Sequence, residues 1–262
     1  MSQCPICDME MRAAFSSQIL RKYEVAYHRC DQCGFLRTEE PYWLNEAYSD
    51  AIVVEDTGLM QRNIIMAARL ASVLYFMLEG RGRYLDIAGG YGVLVRLMRD
   101  LGLDFYWSDK YSQNLMARGF ELEKTSAPFA AITAFEVLEH VHDPVAFVSE
   151  NLKTFGTRNL IFSTLLYEGA GPPPRDWWYY AFDAGQHISF YQERTLSRLA
   201  GRLGLHFCSA HRMHLFSEKP VNRLLFNFLT SYFALPIALY VRQRLSSKAM
   251  TDQKKLTQEG SR

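Results

Sequence analysis

Apolar residues recur at Val93, Leu94, Leu97, Met98 and Leu101, a spacing of three and four that predicts a helix with one buried face. Just before them, Arg83 to Ile87 reads as a short buried strand. Gly89, Gly90 and Gly92 lie between the two. Strand, glycine turn and helix in that order form the first unit of a doubly wound parallel sheet. The pattern continues downstream, where positions 105–109, 130–135 and 159–164 read as further short strands. Asp143-Pro144 opens a helix over about 145–152, with Asp as cap and Pro in the first turn. The predicted class is therefore α/β. A different pattern closes the chain. Positions 224–241 are apolar but interrupted by Asn227, Thr230, Ser231 and Pro236, and flanked by Arg223 and Arg242. A membrane span wants about 20 apolar residues. This broken run instead predicts two short helices that pack on the body or on a partner subunit, with contact at a membrane surface as the alternative.

The head of the chain carries its own signal. Cys4, Cys7, Cys30 and Cys33 form two Cys-x-x-Cys pairs separated by 22 residues. That spacing suits a zinc ribbon, because each pair turns two thiolates into one site and two pairs complete a tetrahedron. A closed four-thiolate site leaves no open position, so the metal is expected to be structural. Disulfides are the alternative, but the three residues before Cys4 offer no secretory signal. Cys208 lies in an apolar stretch and reads as a small buried hydrophobe. Charge then narrows the picture. The 29 basic and 28 acidic residues leave a net charge of +1, and basic and acidic residues are balanced within the head too. Neither suits tracking of a phosphate backbone. These features divide the chain into a zinc ribbon at 1–40, a helical linker or lid at 41–80, an α/β body at 81–215 and a C-terminal helical tail at 216–262.

The glycine turn lacks the G-x-G-x-x-G spacing of a dinucleotide site. An acid, Asp86, stands at the end of the preceding strand, where it would repel a pyrophosphate. A second acid, Asp109, follows at the tip of the next predicted strand, in the place of a carboxylate that binds ribose hydroxyls. Asp86, Gly90 and Gly92 resemble motif I of class I S-adenosylmethionine-dependent methyltransferases, with Ala88 standing where the family has its first glycine. Positions 136–144 resemble the segment after the fourth strand in small-molecule members of that family. The resemblance covers about 84–205. Together with the cysteine head it extends to methyltransferases of polysaccharide and nucleotide-sugar clusters and to sugar C-methyltransferases. It implies a Rossmann-like methyltransferase sheet. It also implies S-adenosylmethionine held by Asp86, Ala88, Gly89, Gly90, Gly92 and Asp109, and a small-molecule acceptor of the sugar class. Three alternatives stand beside it: a quinone or lipid O-methyltransferase at the membrane face, an RNA methyltransferase, and a binding module without activity.

Methyl transfer from a sulfonium needs a base only when the acceptor is a hydroxyl or a carbon acid. His187 is the first candidate, since it follows the strand at 159–164 and the Pro- and Trp-rich loop at 171–180, a segment suited to a lid or acceptor pocket. A role in holding that loop is the competing reading. Glu136 and His140, four apart, would share one face of a helical turn near the strand end, with Glu136 the pocket candidate towards donor or acceptor and a packed or capping histidine as the other reading of His140. His142 is expected to be exposed. Asp56, Thr57, Arg62 and Asn63 begin a helix expected to cover the site, with helix capping as the other reading of the first two. The aromatics of 41–48 read as a latch between head and body, with the lining of an acceptor site as the other reading. The expected location is cytoplasmic, with 224–241 as the point of peripheral membrane contact or of homodimer packing.

Overall fold

The computed structural model describes residues 3–48, 57–78, 80–122 and 128–259. In chain order the strands and α-helices are β1 (Arg12–Ile19), β2 (Tyr23–Arg29), β3 (Leu36–Thr38), α1 (Leu44–Ala47), α2 (Leu59–Met77), β4 (Arg83–Ile87), α3 (Val93–Asp100), β5 (Asp104–Ser108), β6 (Ala131–Ala134), α4 (Pro144–Thr154), β7 (Leu160–Phe162), β8 (Ser189–Phe190), α5 (Glu193–Arg202), β9 (His206–Ala210), β10 (Met213–Ser217), α6 (Arg223–Thr230), α7 (Ala234–Leu245) and α8 (Ala249–Glu259).

Six strands form the central sheet in the order β5-β4-β6-β7-β10-β9. The four from β5 to β7 are parallel, whereas β10 runs antiparallel to both neighbours. The chain leaves β4 towards β5 on one side and returns to β6 on the other. In such a sheet the reversal of direction opens a crevice at the carboxyl ends of the diverging strands. The short strands are apolar on both faces because both faces are covered. One face packs against α2 and α3, with Leu70, Leu74, Leu94 and Met98 beside Tyr84, Phe105 and Leu215. The other packs against α4 and α5, with Val148, Leu152, Leu196 and Leu199 beside Leu85, Ile132 and Phe162. Asp143 caps α4 as expected, its side chain accepting from the Ala146 N–H at 3.0 Å, with Pro144 in the first turn.

The cysteine-bearing head is continuous with this second layer. Cys4, Ile6, Cys30, Cys33 and Phe35 share a core cluster with α4 and α5. Its sheet has the order β1-β2-β3-β8, so a strand from the body completes it, pairing Leu36 with Phe190 and Arg37 with Ser189. The linker at 41–48 closes the same seam. Trp43 is buried, and its indole N–H donates to the Gly185 carbonyl at 2.8 Å.

The tail forms two helices, α6 and α7, which meet at a 91° bend. Among the described residues no single helix is long and apolar enough to cross a membrane. Phe226, Leu229 and Val241 pack into the α2 layer. Beyond them α8 is fastened by Asp252, which accepts from Arg99 at 2.7 and 2.8 Å and from Arg96 at 2.9 Å.

Two local expectations are corrected. Glu136 does not start a helical turn. It takes a left-handed backbone with φ 54°, and the 3-10 turn that follows spans Leu138 to His140. Helical stacking therefore does not relate Glu136 to His140. His142 is half-buried rather than exposed, with its Nδ1 3.5 Å from a Glu40 carboxylate oxygen.

Candidate active site

The cleft at the carboxyl ends of β4, β6 and β7 is lined by Asp86, Ala88, Gly89, Gly90, Glu136 and Ser163, with Leu59, Arg62, Asn63 and Met66 of α2 on the opposite wall. The turn after β4 can take this shape because Ala88, Gly90 and Gly92 all adopt positive φ. That conformation strains Ala88 modestly and the glycines little. Two of the three glycines are held by neighbours. A Cβ on Gly89 would lie 2.8 Å from the Trp107 ring, and one on Gly92 would lie 2.7 Å from the Asn114 amide oxygen. At Gly90 the same position faces open space with nothing within 4 Å. A ligand can therefore approach the backbone closely there.

Asp86 sits at the floor of this cleft. The Thr133 hydroxyl donates to its Oδ1 at 2.6 Å. Burial pushes its carboxyl up to about 7, with a further upward push from the negative charge of Asp109 and opposition from the Thr133 hydrogen bond. Asp109 stands behind the turn. Its Oδ2 accepts from the Gly90 N–H at 2.9 Å, and its Oδ1 accepts from the N–H groups of Tyr111 and Ser112 at 2.7 and 2.8 Å. It ties the loop after β5 to the glycine turn and is not among the residues that line the cleft. Gly92 likewise lies behind the wall. Four of the expected donor-binding residues, Asp86, Ala88, Gly89 and Gly90, face the cleft directly.

Glu136 forms the border with a second cluster. Its carboxylate accepts from the Ser163 hydroxyl, whose oxygen in turn accepts from the Glu136 N–H. Burial and the nearby charge of Glu139 raise its carboxyl above the usual range. Beyond it His140 and His187 meet edge to face, with ring centroids 4.9 Å apart. The Nδ1 of His140 lies 3.0 Å from the Gln186 carbonyl, and that of His187 lies 2.6 Å from the Tyr179 carbonyl. A carbonyl can only accept, so both Nδ1 atoms carry hydrogen, and in the neutral rings Nε2 holds the lone pair. Burial drives His140 down to about 3, with the charge of His187 acting in the same direction, so His140 is neutral. Glu139 is fully buried. Its Oε1 accepts from the Tyr179 hydroxyl at 2.8 Å, while Oε2 has no hydrogen-bond partner among the described residues. Burial raises its carboxyl as well. Ligand-capable atoms of Glu139, His140 and His187 lie within 4.8 Å of one another.

Hydrogen bonds to backbone carbonyls hold this cluster together. The Ile188 N–H donates to the Glu139 carbonyl at 2.8 Å, the Ser189 hydroxyl to Val141 at 2.6 Å and the Tyr191 hydroxyl to Leu138 at 2.8 Å. The loop with His187 is thereby stitched to the turn with His140. Tyr48, at the end of the linker, stacks on Tyr111 and lies beside His140. Thr57 makes no cap for α2, whose N-cap is Gly58 without a side-chain hydrogen bond. Asp56 lies outside the described residues. Arg62 and Asn63 do reach the cleft wall. Sequence reading passed over Thr133, Ser163, Glu139 and Tyr179. Their positions at the ends of buried strands, or next to a candidate, were the available signal.

The four head cysteines bring their sulfurs within 4.8 Å of one another, with Cys4 to Cys33 at 3.6 Å and Cys7 to Cys30 at 3.4 Å. All are free thiols. Tetrahedral zinc with bonds of about 2.3 Å places its sulfurs roughly 3.8 Å apart, so this donor set fits such an ion.

The parallel core, the reversal at β4 and the open glycine turn define an α/β protein with a small-ligand cleft at its strand ends. The profile of the methyltransferase-domain family matches residues 60–209, more than half of the chain, and the chain belongs to that family. No curated protein matches it in sequence. Among solved structures it is similar to TnmH, with 15% identity over 69% of this chain and 62% of that one and a TM-score of 0.46. It is also similar to an O-methyltransferase family 2 protein from Planctomyces limnophilus in complex with apigenin (15% identity, 66% of each chain, TM-score 0.44). Human N-acetylserotonin methyltransferase in complex with SAM is a further likeness (14% identity, 68% of this chain and 66% of that one, TM-score 0.42). The chain spans less than two thirds of the length of each of these.

Proposed function

We propose that this protein is an S-adenosylmethionine-dependent methyltransferase acting on a small-molecule acceptor. The observation that carries the reading is the open face at Gly90 beside the buried Asp86 carboxylate, inside the family-matched region. When bound, the donor supplies a methyl group already activated on a sulfonium. The residues that would hold it are Asp86, Ala88, Gly89 and Gly90. Gly92 and Asp109 keep the turn in shape from behind. Asp109 is the candidate for ribose hydroxyls once its loop adjusts. Direct titration of S-adenosylmethionine by calorimetry tests this. No binding by the intact protein would sink it, and unchanged affinity in Asp109→Ala would remove Asp109 from the donor site.

The acceptor compartment is the His140, His187 and Glu136 cluster. Here the chain orients the acceptor, and His187 removes its proton through Nε2, the nitrogen its Nδ1–H bond to Tyr179 leaves free. His140 stays neutral and takes a hydrogen bond from the acceptor. Glu136 marks the boundary between acceptor and donor. The acceptor class is a sugar of a nucleotide-sugar or glycan pathway, a reading supported by the cysteine head that precedes the family region. The head holds structural zinc, and its chemistry is architectural. A methyl-label assay across nucleotide sugars and glycans checks the acceptor. Transfer to none of them would remove the sugar assignment while leaving the donor reading intact.

A further inference from the structure

The helical pair at the C-terminal end is apolar on two faces. Its inner face, with Phe226, Leu229, Ala234, Ala238 and Val241, is buried. Its outer face exposes Leu224, Phe228, Tyr232, Phe233, Leu235 and Leu239, of which Leu224 is 83% and Tyr232 93% accessible. Monomers in water seldom expose a contiguous patch of this kind. The patch continues onto α2, where exposed Phe76 packs against Tyr240, and where Ile64 lines one groove with Leu235 and Leu239.

Charge decides what covers it. From Lys219 to Thr251 the chain carries no acidic residue, whereas Lys219, Arg223, Arg242, Arg244 and Lys248 are basic. The first four of these are exposed; Arg223 lies 3.5 Å from a Glu193 carboxylate oxygen and Asp100 shares a groove with Arg242, which leaves the cations of the patch in excess over the acids beside it. A protein partner would as readily be met by mixed charge. An apolar face between cations of one sign matches the interface of an anionic bilayer, with side chains in the acyl boundary and cations among the headgroups. The two helices meet at a 91° bend, and neither alone is long and apolar enough to cross a bilayer.

We propose that α6 and α7 form a monotopic docking face for anionic lipid bilayers.

The test is flotation of the full chain with vesicles of phosphatidylcholine alone and of phosphatidylcholine with phosphatidylglycerol, in the absence of donor. The expected result is co-flotation with the anionic vesicles that weakens as salt is raised. Leu224→Glu with Leu239→Glu should lower it by roughly tenfold or more. Both side chains are exposed, so the melting temperature and donor affinity of this variant should match those of the parent. Arg242→Gln with Arg244→Gln should remove the preference for anionic lipid. Absence of flotation with either vesicle overturns the proposal. So does a dimer in analytical ultracentrifugation that the Leu224 and Leu239 changes dissociate, since a second copy would then be the cover. Vesicle binding without measurable donor binding would leave the docking face standing and remove the enzymatic reading.

Discussion

Asp86 illustrates how one residue couples stability to function. Its folded carboxyl is raised to about 7 by burial, against a carboxylate value near 4 in the unfolded chain. Between those values the folded state binds more protons than the unfolded state, so stability falls as pH rises through this window. Asp86→Asn should therefore flatten the decline in unfolding free energy between about pH 4 and pH 7, read by urea denaturation of the ligand-free protein. The same change should weaken donor binding by about tenfold or more, because a carboxylate that accepts hydrogen bonds is lost. His187 is tested on the other side of the cleft. His187→Ala should lower kcat by about a hundredfold or more on a hydroxyl or carbon-acid acceptor, with donor affinity unchanged in calorimetry. Unchanged turnover across pH would reduce His187 to a holder of its loop.

At the scale of elements, the head and the loop that carries His187 are one mechanical unit. The pairing of β3 with β8 begins two residues after His187, and Trp43 and Gln186 bridge the linker to the same loop. Trp43→Ala removes a buried ring and the donor to the Gly185 carbonyl. It should cost about 3–5 kcal/mol of stability by urea denaturation. Cys30→Ser should abolish zinc retention, measured by metal analysis. The binding energy of a structural zinc, on the order of 10 kcal/mol, is then lost to the head. Turnover should fall with it, while donor affinity survives because the glycine turn belongs to β4 and α3. Loss of donor affinity in the same variant would show that the head supports the donor cleft too.

The whole molecule is closed by the tail. Arg99 and Asp252 are both almost fully buried and bind through two hydrogen bonds, so α8 is clasped to α3 across 153 residues of sequence. Breaking one side of a buried pair leaves the other charge uncompensated. Asp252→Asn should cost on the order of 3 kcal/mol, visible as a lower urea midpoint. Arg99 keeps partners in Asp104 and the Phe105 carbonyl, which limits the loss. At this scale the tail also carries the exposed apolar face, so stability and docking can be separated by variants on its inner and outer surfaces.

Local periodicity and local chemistry were legible in the chain itself. The strand, glycine turn and helix around Asp86, the Asp143-Pro144 cap, the four-cysteine set and the break in the tail each depend on residues close in sequence, or on a spacing that speaks for itself. The turn at Glu136 was misread as helix because its left-handed backbone depends on the bond with Ser163, which comes from another strand. His142 was misread for the same kind of reason, since the segment around Glu40 covers it. The sequence by itself determined the family of the fold, the glycine turn after β4 and the four-cysteine set, because propensity, pattern and spacing are short-range properties. Tertiary structure alone decided that β8 completes the head sheet, that Glu139 and Tyr179 join His140 and His187, and that the tail leaves one apolar face outward. Those outcomes depend on which distant surfaces exclude water from each other, and no local window of sequence contains that contest.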